Sequence, residues 1–532
     1  MPEYLAPGTY TEELRSTVSP IEGVSTSTAG FIGRTERGPD TPLLVTSWLE
    51  YVRWFGVHIP VSVSYLPFAV QGFFANGGQR LFVARVNGAN AQMATVSRAT
   101  AAAGQSLVVN AIGTGAWGNS LTVAFLPTRQ TPKPAAPGRP APPPRFRLLV
   151  TYLPPSATTA VTEEYDDLAI DPAVPRYALA TVNSASHLVN LSWAKPNDPP
   201  SLPKTDPAPA PGQAPTTLPL TKGSDGAAIK ALDYEGDPNA PLNQQRGLLA
   251  LSAVDQISIL AVPDIVGPIP ATEQGHVRET LLQQCESLRD RMAILDVPGG
   301  NGDVTKIQVT RTSDYAAIYY PFVRVLDPVA GGSVLVPPSG FVAGIYAFND
   351  VTRGVHKAPA NYEVRGILSD NLTPTEGPLE YTITKGQHDI LNPERINVIR
   401  DFRASGLGVR VWGARTISQD PGWTYVNVRR LFMFVEESID EALQWVVFEP
   451  NAEYTWDRVR QSITAFLTRV WHDGALMGTA PEEAFFVRCD RSTMSTDDIL
   501  NGRLICLIGL AAVRPAEFVI FRYSQFTVEA AA

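Results

Sequence analysis

The chain has few cysteines. Only Cys285, Cys489 and Cys506 occur among its 532 residues, and an odd, sparse set cannot build a disulfide framework. This usage is typical of a reducing compartment. Long apolar runs are lacking as well, because the longest, near residues 504–513, is about half of the roughly 20 residues that span a bilayer.

The first residues also lack the basic and then apolar stretch that marks a secretory signal. We therefore expect a protein that is made and kept in the cytoplasm, unless it leaves the cell inside a larger particle. Direct insertion into a membrane is not expected.

Basic residues are in the minority. Lys and Arg number 43 against 52 Asp and Glu, which gives a net charge of -9. Because nucleic acids and anionic membranes are usually bound by a basic face, this balance argues against both as partners. The hydrophobic fraction of 44% and the charged fraction of 18% are those of a globular protein, and they exclude a wholly disordered chain.

Motifs for metals and nucleotides are scarce. The six histidines are scattered, without the spacing of a Cys/His zinc site, and no phosphate-binding loop is present. Residues 113–118 match G-x-G-x-x-G, but a strand-like segment follows them where a dinucleotide site requires a helix. We interpret these glycines as a tight β-turn and expect no cofactor.

Three aspartates each follow an apolar strand: Asp264, Asp296 and Asp327. Sites in α/β proteins form at the carboxyl ends of strands, where clustered acids hold Mg²⁺ for phosphate chemistry. The other interpretation is that each Asp caps a turn or a helix, which the neighbouring prolines favour. We expect no enzyme, and a metal-dependent α/β hydrolase that uses these three residues is the alternative.

Proline is abundant, with 46 residues, and it is clustered in 127–144 and 196–219. Such segments predict solvated loops, since proline lacks the N–H of a regular element. Around them lie short strand patterns at 106–111, 120–125, 146–152 and 186–193. Residues 91–245 are therefore predicted to be a mainly β unit.

The flanking regions alternate apolar strands with amphipathic helices, a pattern typical of an α/β layer with largely parallel strands. Strands are predicted at 30–33, 80–86, 257–262, 292–295 and 322–325, and helices at 48–55, 65–74, 273–289, 313–320 and 340–349. The last part adds long helices at 429–447 and 453–471, the second with apolar residues at helical spacing, and strands at 484–489, 505–512 and 517–523.

The predicted fold class is mixed α/β and multidomain. It comprises a split α/β core, a mainly β insertion and extended, strand-like arms at both termini. The expected segments are an arm at 1–20, an α/β domain at 21–90 plus 246–355, the insertion at 91–245, a C-terminal domain at 356–516 and an arm at 517–532.

The two arms have no catalytic explanation. The first contains the alternation Thr9, Tyr10, Thr11, Glu12, and the second is rich in β-branched and aromatic residues, among them Phe518, Ile520, Phe521 and Tyr523. Strands outside a domain can add to the sheet edge of a neighbouring molecule. From these residues alone, pairing within the same chain is equally compatible.

Several ordered blocks resemble contractile-tail sheath proteins, the family of phage tails and phage-like injection systems. They span nearly the whole chain: 7–13 (PGTYTEE), 21–29 (IEGVSTSTA), 73–78 (FFANGG), 83–86 (VARV), 115–119 (GAWGN), 354–361 (GVHKAPAN), 411–416 (VWGART), 485–490 (FFVRCD) and 515–521 (PAEFVIF). The two proline-rich loops depart from the family, in the region where its members vary most.

The resemblance implies a structural subunit that polymerises as stacked hexameric discs, in a helix around an inner tube. On a signal from the baseplate, such a sheath contracts and drives the tube through a target envelope. The implied partners are further sheath subunits, the inner tube protein, and baseplate and tail-terminator proteins. The terminal arms would interlock with neighbouring subunits, and the C-terminal domain would lie against the tube.

The resemblance also suggests a role for the helix at 453–471. Its apolar stripe must pack on its own domain, and the other side offers Arg458 and Arg469, with Arg460 near the boundary. These arginines would hold an acidic tube surface through weak charge pairs. A solvated face, or contacts with another sheath subunit, is the alternative.

Overall fold

The computed structural model describes residues 21–101, 104–130, 144–154, 159–241, 244–368, 377–520 and 522. The chain divides into two compact units. The larger unit is Thr26–Thr352 with Pro359–Thr424, and the smaller unit is Met1–Ser25, Arg353–Ala358 and Tyr425–Ala532.

The strands are, in chain order, β1 (Thr28–Gly33), β2 (Leu43–Val45), β3 (Arg80–Arg85), β4 (Met93–Ala99), β5 (Ser106–Thr114), β6 (Leu121–Pro127), β7 (Arg145–Tyr152), β8 (Val161–Ala169), β9 (Val189–Trp193), β10 (Leu218–Pro219), β11 (Ile259–Ala261), β12 (Met292–Asp296), β13 (Ala316–Tyr320), β14 (Val323–Asp327), β15 (Gly332–Val336), β16 (Ile396–Asp401), β17 (Val409–Val411), β18 (Phe485–Arg488) and β19 (Leu507–Leu510).

The helices are α1 (Trp48–Phe55), α2 (Leu66–Ala75), α3 (Ala178–Ala185), α4 (Ala231–Glu235), α5 (Gly247–Ser252), α6 (Ala271–Leu288), α7 (Ser339–Arg353), α8 (Lys385–Leu391), α9 (Val426–Leu443), α10 (Glu453–His472), α11 (Pro481–Ala484) and α12 (Thr496–Leu500). In the part of the chain that the structure describes, no helix is both long and apolar enough to cross a membrane.

The core of the larger unit is an eight-stranded sheet with the order β17-β16-β13-β12-β11-β1-β3-β2. Its inner neighbours pair in parallel, and β2 and β17 add antiparallel edges. Strands β1 and β12 are buried at every residue, as expected of parallel strands that are covered on both faces. The mixed α/β class predicted from the sequence is confirmed.

Two details of this sheet differ from the sequence analysis. The predicted helix at 313–320 is wrong, because Ala316–Tyr320 forms the inner strand β13. A short apolar run fits a buried strand as well as a helix, so its periodicity cannot distinguish them. Strands β16 and β17 belong to the sheet of the larger unit, whereas the sequence analysis predicted no strands there and assigned residues 356–516 as a whole to a C-terminal domain.

The insertion lies between β3 and β11 and contains β4 to β10. Its strands form a four-stranded sheet, β10-β6-β7-β8, and a three-stranded sheet, β4-β5-β9. The two sheets share one apolar core that includes Leu107, Trp117, Phe125 and Phe146. The sequence analysis predicted this β character but not helix α3.

A paired neck carries the insertion. Residues 88–95 run antiparallel to residues 221–227. The N–H of Gly88 donates a hydrogen bond to the Asp225 carbonyl oxygen (3.1 Å). Gln92 and Ser224 form two reciprocal backbone hydrogen bonds, and so do Thr95 and Thr221. Gly88 permits this approach, because a Cβ there would lie 2.0 Å from the Ala227 carbonyl oxygen.

The smaller unit packs α9 and α10 against the two-stranded sheet β18-β19. Helix α10 buries the predicted apolar stripe, including Trp456, Val459, Ile463 and Phe466. The strand predicted at 517–523 is absent from its described residues, 517–520 and 522.

Candidate assembly surfaces

Asp264 is fully buried just after strand β11. Its carboxylate accepts hydrogen bonds from Ser64 Oγ, the N–H of Tyr65 and Tyr234 Oη, each 2.7 Å long. Burial raises its pKa to about 6, although these donors act in the opposite direction. Since Tyr65 directly precedes helix α2, Asp264 anchors the start of that helix.

Asp296 ends strand β12 and anchors a second helix. Its Oδ1 accepts from the N–H of Ser339 (2.8 Å), the first residue of α7. Burial raises its pKa to about 7. Asp296 also lines a cavity of about 130 Å³ together with Arg278 and Lys306.

Asp327 lies in another sheet, the β14-β15 hairpin, where it accepts from the N–H groups of Val329 and Ala330. Each of the three aspartates thus organises a turn or a helix start. Among the described residues, no three or more His, Cys, Asp or Glu side chains form a group that could hold a metal ion. The structure gives the hydrolase alternative no support.

The G-x-G-x-x-G segment is a turn, as interpreted from the sequence. Residues Ala116–Ser120 form one 3-10 turn that leads directly into β6. The indole of Trp117 is buried and donates to the Thr114 carbonyl oxygen at 3.1 Å. With a strand after the glycines, this segment lacks the helix N-terminus that binds a pyrophosphate.

The three arginines of α10 make contacts within the smaller unit. The Arg458 guanidinium lies 4.1 Å from the ring centroid of Trp445, and Arg460 pairs with Asp457 at 2.6 Å. Arg469 is exposed and donates to the carbonyl oxygen of Ile21. Their predicted role at a tube surface stays a prediction.

The C-terminal segment exposes an apolar run. Phe518, Val519 and Ile520 are 69%, 69% and 76% exposed, which is unusual for three adjacent large apolar side chains. The other predicted arm residues, Thr9, Tyr10, Thr11, Glu12, Phe521 and Tyr523, lie outside the described residues.

A groove in the smaller unit lies between helix α9 and strand β19. Its volume is about 340 Å³. Three apolar residues of α9, two of β19 and two acids line it: Phe432, Val435, Ile439, Ile508, Leu510, Glu436 and Asp440. Strand β19 pairs with β18 on one edge, and no strand among the described residues pairs with its other edge.

The sequence analysis did not find this groove. The available signal was the spacing of Val435 and Ile439, four residues apart on a predicted helix. The strand that completes the groove, β19, follows only after helix α10 and strand β18. Apolar periodicity predicts that this face of the helix packs against other residues. It does not predict that part of the face stays open as a groove.

Comparisons with known proteins match this chain to tail sheath proteins. The phage tail sheath protein central domain matches residues 232–417, and the phage tail sheath C-terminal domain matches residues 418–526. A putative prophage major tail sheath protein of Pseudomonas aeruginosa (strain UCBPP-PA14) is 28% identical over 242 residues, which are 44% of this chain and 58% of that protein.

The tail sheath protein of Burkholderia phage BcepMu is 31% identical over 270 residues, which are 48% of this chain and 54% of that protein. This chain thus matches little more than half the length of these two curated relatives.

A solved structure matches over nearly its full length. The helical sheath of the anti-feeding prophage (AFP), determined in the contracted state, is 26% identical, with a TM-score of 0.56, and the match covers 98% of this chain and 99% of that one. On the two domain matches and these relatives, the chain belongs to the phage tail sheath protein family.

Proposed function

We propose that this chain is the sheath subunit of a contractile tail or injection system. It polymerises as stacked hexameric rings around an inner tube and contracts to drive the tube through a target envelope. The observation that carries this proposal is the full-length likeness to a helical sheath in the contracted state, combined with exposed apolar surface in the smaller unit.

In this role the protein is structural and performs no catalysis. Its partners are further copies of itself, the inner tube protein, the baseplate and the tail terminator. It assembles in the bacterial cytoplasm and becomes part of a phage tail or injection particle. The carboxylates of the larger unit support this view, because Asp264, Asp296 and Asp327 all organise backbone N–H groups.

The terminal arms act between subunits in this proposal. Two features of the smaller unit complement each other: an exposed apolar segment at Phe518, Val519 and Ile520, and an apolar groove beside the open edge of β19. An added strand gains hydrogen bonds of about 0.5–1.5 kcal/mol each, and its alternate side chains fill the groove.

Charge selects the C-terminal arm for this groove. Glu436 and Asp440 lie in its lining. Residues 518–528 of the C-terminal arm carry one charge, Arg522, with Glu517 and Glu529 on either side, whereas residues 1–20 carry Glu3, Glu12 and Glu13 against Arg15. Because like charges repel across an interface, residues 517–532 of a neighbouring subunit fit the groove better than residues 1–20.

Electron microscopy of the purified chain tests the proposal directly. The intact chain should form hollow cylinders, and deletion of residues 1–15 should leave a folded subunit that cannot polymerise. Circular dichroism and thermal unfolding distinguish this outcome from misfolding. A truncated chain that still forms cylinders would show that the N-terminal arm is not needed, and one that unfolds would show that the arm pairs within its own chain.

A further inference from the structure

Two of the three cysteines face each other at the end of the β18-β19 sheet. The antiparallel register pairs Phe485 with Leu510 and continues to Arg488 with Leu507. The next residues beyond the two paired ends are Cys489 and Cys506, and one further step in the same register would set them opposite each other. Nothing in the spacing of these residues along the chain indicates this pairing, because it depends on how the two strands meet.

The thiols are in contact. Each sulfur is the hydrogen-bond partner of the other. Opposite residues of an antiparallel pair have Cα atoms about 4.5–5.5 Å apart, and disulfides bridge Cα separations of about 4.4–6.8 Å. A covalent bond between these two sulfurs therefore requires little movement of the backbone.

The two thiols differ in access. Cys489 is buried, whereas Cys506 is half-buried and open to a small reagent. Cys285 is different from both, because it is fully buried in helix α6.

We propose that Cys489 and Cys506 form a redox modification site, at which a small-molecule disulfide such as oxidised glutathione produces an intrachain disulfide. Cys506 passes its thiol proton to the hydrogen-bonded Cys489 sulfur while its own sulfur attacks the S–S bond of the oxidant and releases one glutathione thiolate. Cys489 gives a proton to that thiolate, and its sulfur then attacks Sγ of Cys506 and releases the second glutathione thiolate. The protein loses two electrons and two protons, and the oxidant becomes two glutathione thiols.

Acidity fits this order of steps. The hydrogen bond that Cys506 donates to Cys489 lowers the pKa of the Cys489 thiol, and the same bond together with burial raises the pKa of the Cys506 thiol, so Cys489 is the base that accepts the Cys506 proton in the first step. Cys285 is fully buried, which closes it to the oxidant and also raises its pKa to about 12, so this thiol should stay reduced. The chain thus contains its own unreactive control.

The test uses the full chain, first reduced and then equilibrated with mixtures of reduced and oxidised glutathione. Oxidation should lower the mass by about 2 Da, as the loss of two thiol protons requires, and leave one thiol that can be alkylated after denaturation. Trypsin should release peptides 489–491 and 504–522 as a linked pair that separates on reduction.

Three variants complete the experiment. C285S should still lose two thiols, whereas C489S and C506S should not form the linked pair. The oxidised chain should also unfold at a higher temperature than the reduced chain, since a cross-link restricts the unfolded state. That shift should vanish in C489S.

Any of three results would overturn the proposal. The first is a stable glutathione adduct on Cys506 without the linked peptides, and the second is oxidation of Cys285 at the same rate as Cys489 and Cys506. The third is a disulfide that forms only between chains, as seen on a non-reducing gel. Retention of all three thiols in strongly oxidising mixtures would also count against it.

Discussion

Replacing the exposed apolar run by serine, in the variant F518S/V519S/I520S, should abolish assembly without destabilising the subunit. Complete burial of a large apolar side chain is worth about 1.5–3 kcal/mol. Because these side chains are 69%, 69% and 76% exposed, about 1–2 kcal/mol is available from each when a neighbour covers it. The three together would contribute about 3–6 kcal/mol per contact.

This loss corresponds to a large change in assembly. Since each 1.4 kcal/mol is about a factor of ten in an equilibrium constant, the variant should need about 10²–10⁴ times more protein to polymerise. Sedimentation over a concentration series, with microscopy of the pellet, measures this threshold. Substitutions at exposed positions usually change the unfolding free energy by less than about 0.5 kcal/mol, so thermal unfolding of the subunit should be unchanged.

The variant L49S is the matched control, because Leu49 is 70% exposed but lies on helix α1 of the larger unit. It should assemble at the wild-type threshold. An unchanged threshold in the triple variant would refute the reasoning, and so would a clearly lowered unfolding temperature, which would place the run in a contact within the subunit.

Three further predictions concern the aspartates, the loop and α10. Burial raises the pKa of Asp296 to about 7, so the folded state holds a proton that the unfolded state releases near pH 4. Stability should therefore fall by up to about 1.4 kcal/mol per unit as pH rises from 4 to 7, and D296N should flatten this slope in urea unfolding. Replacing residues 132–144 by a short Gly/Ser linker should leave cylinders intact in electron micrographs, whereas their loss from a folded chain would place the loop at a contact. R458E/R469E should reduce sheath assembly on a co-expressed tube protein, and normal assembly would exclude a tube-facing role.

Local signals predicted the elements whose stability is local. Helix α1 begins after Ser47, whose Oγ accepts from the N–H of Glu50, and its predicted bounds are those observed. Helix α10 was predicted to within one residue, because its apolar periodicity extends over several turns.

The sequence analysis could not predict features that depend on contacts between residues far apart in the chain. Strand β13 is a strand because β12 and β16 pair with its two edges, and β16 comes from far along the chain. The groove beside β19 and the contact between Cys489 and Cys506 likewise arise from tertiary packing. The sequence analysis placed the aspartates at strand ends and predicted the two helices correctly. It did not predict that Asp264 and Asp296 anchor those helices, because each helix is remote in sequence from its aspartate.

The paired neck at residues 88–95 and 221–227 has a consequence for how this chain can be altered. Because hydrogen bonds already hold its two strands together, whatever lies beyond them starts and ends at nearly the same point. The entropy of loop closure depends only weakly on the length that is bridged, and domains with adjacent termini tolerate transplantation. The neck is therefore a natural junction for exchanging the whole insertion for an unrelated folded module, such as a displayed antigen or a fluorescent reporter.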